Sequence, residues 1–251
     1  MTATIRSRPL VIDAHRDRNI CVHCQARPFS VCSVIADADL ERLGAAAVTL
    51  TVQPGYGFIQ EGDPAEHFFN VTAGTAKLFK LLPDGRRQIT GFAATGYFLG
   101  LAVSSSYAFS AEALDPVRIC RFSRTKLRGL LDDFPALEKK LLEVASNELV
   151  VAQEQMLLLG RKTARERLAS FLIARANMLP HCAGHAQNGA RERIHLPMTR
   201  SDIADYLGLT IETISRTLSR FKAEQLIEIP NNAEITVLKH ATLEDIAGGM
   251  T

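Results

Sequence analysis

Three of the chain's five cysteines fall within twelve residues, in the run CVHCQARPFSVC, where Cys21, Cys24 and Cys32 follow a C-x2-C-x7-C spacing. A fourth, Cys120, lies in PVRICRF, a run that reads as a β-strand. Thiolates are soft ligands. A tight loop giving three sulfurs and a stiff strand giving the fourth can hold an iron–sulfur cluster or a tetrahedral zinc. Thiols so grouped can also act as a redox switch with no metal. Residue type and spacing leave all three chemistries open. His23, inside the run, is read as a surface residue. Cys182, alone in the polar loop PHCAGHAQNGARER, is read as a spare thiol.

The chain that must position these sulfurs has 251 residues, 47% hydrophobic and 22% charged, which is enough apolar content for a real core. Nearly apolar runs such as LGAAAVTLTV (43–52) are far too short to cross a bilayer, so no membrane partner is expected. The first residues, MTATIRSRPLVIDAHRDRN, are basic but lack an apolar core, so they are not read as a secretory signal. The expected compartment is the cytoplasm, where clustered cysteines serve more often as ligands or sensors than as structural disulfides.

Net charge is +2 but uneven: residues 1–160 are neutral, 161–225 carry eleven Lys and Arg against six Asp and Glu, and 226–251 are acidic. A basic segment in a near-neutral chain points to a polyanion partner, or else to a solvated basic helix face.

The texture changes along the chain. Residues 1–36 read as an arm, and ADADLERLGAAA (36–47) as a short helix with an acidic start. From 48 to 122, short runs such as VTLTV, HFFNVTAG, AKLFKLL and RQITGF alternate with PG, EGDP, PDG and ATG turns, the signature of an antiparallel sandwich or barrel. PDG at 83–85 marks a hairpin. SRTKLRGLLDDF then reads as a helix ending before Pro135. Residues 135–159 hold no internal glycine or proline, and Leu141, Ala145, Leu149, Ala152, Met156 and Leu159 recur every three or four positions. That stripe fits a seam between two copies of the helix, or burial against the chain's own sandwich; the length of the helix favours a symmetric dimer.

The stretch TRSDIADYLGLTIETISRTLSRFKAEQLIEI (199–229) reads as helix, tight turn, helix and strand. Thr199 or Ser201 caps the first helix, Gly208 sits where the turn needs a positive φ, and Thr210 caps the second. Ile214, Leu218 and Phe221 make its buried stripe, and EITVLKH completes a two-stranded wing. The other face offers Glu212, Thr213, Ser215, Arg216 and Arg220. In a helix-turn-helix that face enters the major groove, where arginine matches the two acceptors of guanine and a carboxylate accepts from cytosine. Arg161, Lys162, Arg165, Arg200 and Arg220 are candidate phosphate contacts.

These residues resemble the CRP/FNR family of transcription regulators over nearly the whole chain. PGYGFIQEGDPAEHFFNVTAGTAKLF is similar to the family's effector domain, and RKTARERLASFL with LPMTRSDIADYLGLTIETISRTLSRF to its DNA-binding domain. ETISR (212–216) matches the FNR-like branch. The resemblance implies an α+β chain: an arm over 1–36, an antiparallel β-sandwich or jelly-roll sensor over 37–133, a dimerisation helix over 134–160 and a winged helix-turn-helix over 161–251. It implies that Glu212, Ser215 and Arg216 read double-stranded DNA, at a palindrome close to TTGAT-N4-ATCAA. It implies a [4Fe–4S] cluster on Cys21, Cys24, Cys32 and Cys120, sensing oxygen, with a third ligand more widely spaced than in the best-known members. It further implies RNA polymerase as a partner, and the hairpin Asp84, Gly85, Arg86 and Arg87 is a candidate contact. One departure stands out. In the branch that binds nucleotides, a Gly-Glu pair and an Arg-Ser pair hold ribose and phosphate. Here YFLGLAVSSSYAFSAEAL (97–114) has neither, and Phe109 precedes Ser110, so cyclic nucleotide is not expected. No His-x-His with a nearby carboxylate lies on the strands, and isolated His67 reads as a wall residue, so no enzymatic activity is expected.

Overall fold

The computed structural model describes residues 20–101, 105–178 and 192–250. The chain divides into two units, Met1–Val150 and Val151–Thr251, and the division falls inside a long helix.

In the first unit, β1 (Ala47–Val52), β2 (Gly57–Ile59), β3 (His67–Ala73), β4 (Ala76–Leu81), β5 (Arg87–Ala93), β6 (Phe98–Leu99), β7 (Ser110–Ala113) and β8 (Val117–Ser123) form two antiparallel sheets. Their strand orders are β1-β8-β3-β6 and β2-β7-β4-β5. Alternation sends Leu50, Phe69, Val71, Leu78 and Ile119 into the shared core between the sheets. The other face of β1-β8-β3-β6 is buried too. Cys120, Phe122 and Phe98 meet Val31, Cys32 and Ile35 of the N-terminal segment, together with residues of α1 (Leu40–Ala46), α2 (Arg124–Asp133) and α3 (Pro135–Arg161).

Local sequence explains the helix boundaries. The Ser123 hydroxyl caps α2 by accepting the Lys126 N–H. The α2 helix stops because Phe134 precedes a proline and is held out of the helical region, and Pro135 then opens α3.

The second unit holds α4 (Ala164–Met178), β9 (Glu192–His195), α5 (Arg200–Leu207), α6 (Ile211–Ala223), β10 (Ile227–Asn231), β11 (Glu234–Val237) and α7 (His240–Ala247). Leu168, Leu172, Ile203, Ile214, Leu218 and Phe221 are its buried centre.

The α+β architecture read from the sequence is the one observed, with three differences. First, the described part of the N-terminal arm is not an appendage: residues 27–39 wind into short 3-10 turns, and Ala26, Val31 and Ile35 are buried. Second, the wing has three strands, ordered β10-β11-β9. Its third strand carries one buried apolar residue, Ile194, opposite Ile235, too little to show as a strand in sequence. Third, α7 packs beside α4 and closes the unit. No helix among the described residues is long and apolar enough to cross a membrane.

Candidate functional site

Three of the cysteines gather on one face of one sheet. Cys21, Cys32 and Cys120 are buried in the same apolar cluster, and Cys24 is half-buried. The loop is wound by backbone bonds from Arg27 N–H to the Cys24 carbonyl and from Ile35 N–H to the Cys32 carbonyl. Ser30 caps the second turn by accepting the Cys32 N–H. Arg27, which sequence reasoning passed over, latches the loop: it donates to the Ile35 carbonyl at 2.7 Å and pairs with Asp37 at 2.6 Å.

Burial pushes the Cys120 thiol up to about 12, and the Cys24, Cys32 and Cys21 sulfurs push it the same way, while a hydrogen bond from Thr49 opposes them. Burial also takes Cys32 to about 12, against a Ser30 hydrogen bond, and Cys21 to about 11. Among the described residues, no group of three or more Cys, His, Asp or Glu side chains is arranged so that it could hold a single metal ion. The donor set is four soft sulfurs in apolar surroundings, which fits an iron–sulfur cluster or zinc.

Another polar group shares this face. Asn70 is 2% exposed, and its carboxamide oxygen has no hydrogen-bond partner among the described residues. Leaving such an atom unmatched costs about 1–3 kcal/mol. Nothing in the sequence pattern HFFNVTAG marked it.

Two contacts run from the cysteine loop toward α3. Gly96, at φ +91°, lies so close to Phe29 that an added Cβ would stand 2.8 Å from its carbonyl oxygen. The next residue, Tyr97, donates its hydroxyl to Glu148 of α3 at 2.5 Å.

In the second unit, Thr199 and Asp202 form a reciprocal capping box on α5, and Gly208 ends the helix in the left-handed conformation at φ +61°. The Thr210 side chain accepts the Thr213 N–H and opens α6. Ile214, Leu218 and Phe221 face inward, so Glu212, Ser215, Arg216 and Arg220 are exposed and Thr213 half-exposed on the opposite side. Glu212 is held below the usual carboxylate range by its own backbone N–H, the Thr210 hydroxyl and Arg216.

The proposed phosphate contacts separate. Arg161 is exposed. Arg165 is not available: it makes a bidentate pair with Glu224 and lies over the Phe221 ring. Lys162 is spent on Ser170 and the Ala247 carbonyl. Arg200 is tucked in, with Nη1 buried and unpartnered among the described residues, instead of being held out to solvent. Arg220 is exposed but paired with Glu224. Arg167, missed in the sequence, clamps the turn by donating to the Leu159, Lys162 and Leu207 carbonyls at 2.8–2.9 Å.

Residues 166–246 match the Crp-like helix-turn-helix domain family, and residues 49–134 the cyclic nucleotide-binding domain family. The chain is 40% identical to the transcriptional activatory protein AadR of Rhodopseudomonas palustris over 207 residues, 82% of this chain and 84% of that one. It is 38% identical to the nitrogen fixation regulation protein FixK of Bradyrhizobium diazoefficiens over 241 residues, 96% and 99% of the two chains. The solved structure of FixK2 from Bradyrhizobium japonicum is similar at a TM-score of 0.72 and 34% identity, covering 80% of this chain and 96% of that one. The chain belongs to the CRP/FNR family. It is a DNA-binding transcription regulator, not an enzyme.

The remaining expected sites of this regulator lie as follows. On α3, Leu141 is buried at 8% exposure in the unit's own core and is not on an outer face, which corrects the stripe read from sequence. Leu142 takes its place, 68% exposed, in line with exposed Ala145, Leu149, Ala152 and Met156 at spacings of 3, 4, 3 and 4. Leu159 is half-buried, against the turn at Gly208. Asp84, Gly85 and Arg86 are exposed at the tip of the β4–β5 hairpin, where Arg86 bonds Asp84 at 2.8 Å. Half-buried Arg87 lies over the Phe79 ring. Cys182 falls outside the described residues.

Proposed function

We propose that this regulator is an oxygen-responsive transcription activator that works as a homodimer. In this reading Cys21, Cys24, Cys32 and Cys120 hold a [4Fe–4S] cluster, and the dimer binds a TTGAT-N4-ATCAA-like palindrome when oxygen is low. The observation that supports it is that Cys21, Cys32 and Cys120 lie buried in one apolar cluster where the loop meets the sheet, with half-buried Cys24 in the same loop. A cluster supplies an oxygen-labile bond between the two. A metal-free switch built on Cys21, Cys32 and Cys120 is disfavoured, because reactive thiols are thiolates and burial raises these three.

The chain's own residues do the rest. Arg27 and the Phe29–Gly96 contact seat the loop on the turn before β6, and Tyr97 holds that turn to Glu148 of α3. The apolar face of α3 from Leu142 to Met156 pairs with a second copy. Two α6 helices then enter successive major grooves, roughly 34 Å apart, with Glu212, Ser215 and Arg216 toward the bases. A coupling of about 1–3 kcal/mol between cysteine site and DNA site changes affinity about 5- to 150-fold.

The exposed hairpin around Asp84 to Arg87 is the surface offered to RNA polymerase. We infer no cyclic nucleotide ligand: Phe109 packs on the sandwich core where a phosphate would need a cation, and the Ser110 hydroxyl already accepts the Glu61 N–H.

The test is composition and colour. Protein isolated without oxygen contains iron and sulfide and shows broad visible absorbance that bleaches in air. Colourless protein carrying zinc refutes the cluster. A bleached sample that binds the palindrome as tightly as before refutes its control of DNA binding.

A further inference from the structure

The strand register sets a row of side chains across the sheet: Thr49 of β1, Cys120 of β8, Asn70 of β3 and Phe98 of β6 stand opposite one another in turn. Residues directly opposite in antiparallel strands share a face, with Cβ atoms about 4.5–5.5 Å apart. Cys120 thus has a polar neighbour on each side. On one side, across the β1–β8 pair, stands Thr49. On the other stands Asn70, 2% exposed, its carboxamide oxygen without a partner among the described residues. Apolar rings stand around it: Phe68, Phe98 and Phe122. A leucine would fill such a position, and buried amides without partners are rare enough that each calls for a reason.

We infer that Asn70 is a positioning residue for the sulfur-bound group, donating an amide N–H to a cysteine sulfur or to the group itself. This rests on the cluster reading above. A carboxamide suits the place because it has two unlike ends. Its oxygen accepts from a neutral S–H, and a half-turn presents N–H groups to sulfur that carries negative charge. Hydrogen bonds to ligand sulfurs tune both the reduction potential and the stability of iron–sulfur centres, and outer groups of this kind change metal-site properties about 10- to 100-fold when removed. The competing account is that Asn70 binds only a buried water.

The test compares the full chain with Asn70→Leu and Asn70→Thr after anaerobic reconstitution with iron and sulfide. Iron and sulfide content, the Fe–S(Cys) stretching frequency, the rate of bleaching in air and the thermal unfolding of the metal-free proteins are read. The expected result is that all three load, that Asn70→Leu bleaches about tenfold faster with a shifted stretch, and that Asn70→Thr, which keeps a donor, falls between. Metal-free Asn70→Leu should be at least as stable as the natural chain, separating the effect from misfolding. A leucine variant with the same stretch and bleaching rate as the natural chain overturns the role of Asn70 and leaves the cluster reading standing. A natural chain that takes up no iron or sulfide refutes the cluster reading itself, and Asn70's role with it.

Discussion

Gly96→Ala tests how firmly the cysteine loop is seated, and it does so without any metal. Two costs add at this position. The backbone stands at φ +91°, and an L side chain in the left-handed half of the map costs about 1–2 kcal/mol. The new Cβ would also stand 2.8 Å from the Phe29 carbonyl oxygen and 3.1 Å from its carbonyl carbon. Both are backbone atoms, so the turn Arg27–Phe29 must withdraw, at about 1–2 kcal/mol by comparison with other overpacked sites. Gly62→Ala isolates the first cost, since Gly62 has φ +89° and nothing within 4 Å of its added Cβ. The difference between the two variants is the seating of the loop. At about 1.4 kcal/mol per factor of ten, 1–2 kcal/mol is about a 5- to 30-fold rise in loop opening. The assay is native-state thiol labelling of the metal-free protein, with Cys32 followed by peptide mass spectrometry. Cys32 in Gly96→Ala should label about 5- to 30-fold faster than in Gly62→Ala. Equal rates in the two would show that Phe29 is not held by this glycine.

Four further outcomes follow from the geometry. Leu149→Arg, at a residue 61% exposed, should leave thermal stability within about 0.5 kcal/mol yet give a monomer on size exclusion, whereas Leu141→Ala should cost about 2–5 kcal/mol as a core deletion. Tyr97→Phe removes the hydroxyl on Glu148, and denaturant unfolding of the first unit should register a loss of about 1–3 kcal/mol. Arg167→Ala should destabilise the second unit by about 3 kcal/mol and abolish DNA binding, and Arg167→Lys should not restore it, because one ammonium cannot serve the Leu159, Lys162 and Leu207 carbonyls together. Glu224 is held down to about 2 by hydrogen bonds from Arg165 and then Arg220. Its contribution is present above 4.5, its ordinary value, and lost as pH falls toward 2. Because the pair is one-third exposed, about 1 kcal/mol remains after screening. Urea unfolding of the second unit at pH 6 and pH 3 should show this drop in the natural chain and not in Glu224→Gln.

The elements that follow from short-range rules were legible. A cap at Thr199 or Ser201, of which the structure uses Thr199, Gly208 in the turn and Thr210 at the next cap follow from residue preferences over four positions, and the PDG hairpin from a three-residue turn. The cysteines were legible as a set because thiols are scarce and chemically distinct. What stayed hidden depends on register and tertiary contact. Asn70 looks like any polar residue in an alternating strand until pairing sets it opposite Cys120. Arg167 is one basic residue among many until its fork meets three carbonyls. The stripe on α3 was misplaced by one residue because Leu141 and Leu142 are adjacent, and only packing against Leu137 and Phe122 decides which one turns inward.

The α3 helix therefore has three duties within the first unit. Leu137 and Leu141 anchor it in the core, Glu148 takes the Tyr97 hydroxyl, and Leu142, Ala145 and Leu149 face outward. Because Glu148 is occupied by Tyr97, its charge is drawn toward the sheet, which in the proposed dimer would keep two such carboxylates from facing each other. This bears on what kind of switch the dimer is. Driving an interface from nearly all paired to nearly all parted takes about 5.5 kcal/mol of differential free energy. One hydrogen bond to a charged group contributes about 1.5–3 kcal/mol. The Tyr97–Glu148 link is thus large enough to tilt α3 and alter DNA affinity about 10- to 150-fold, and too small to part an uncharged seam by itself. On exposure to air the regulator should lose DNA affinity while still eluting as a dimer at micromolar concentration, and a monomer under those conditions would show that loop release acts on the seam by another route.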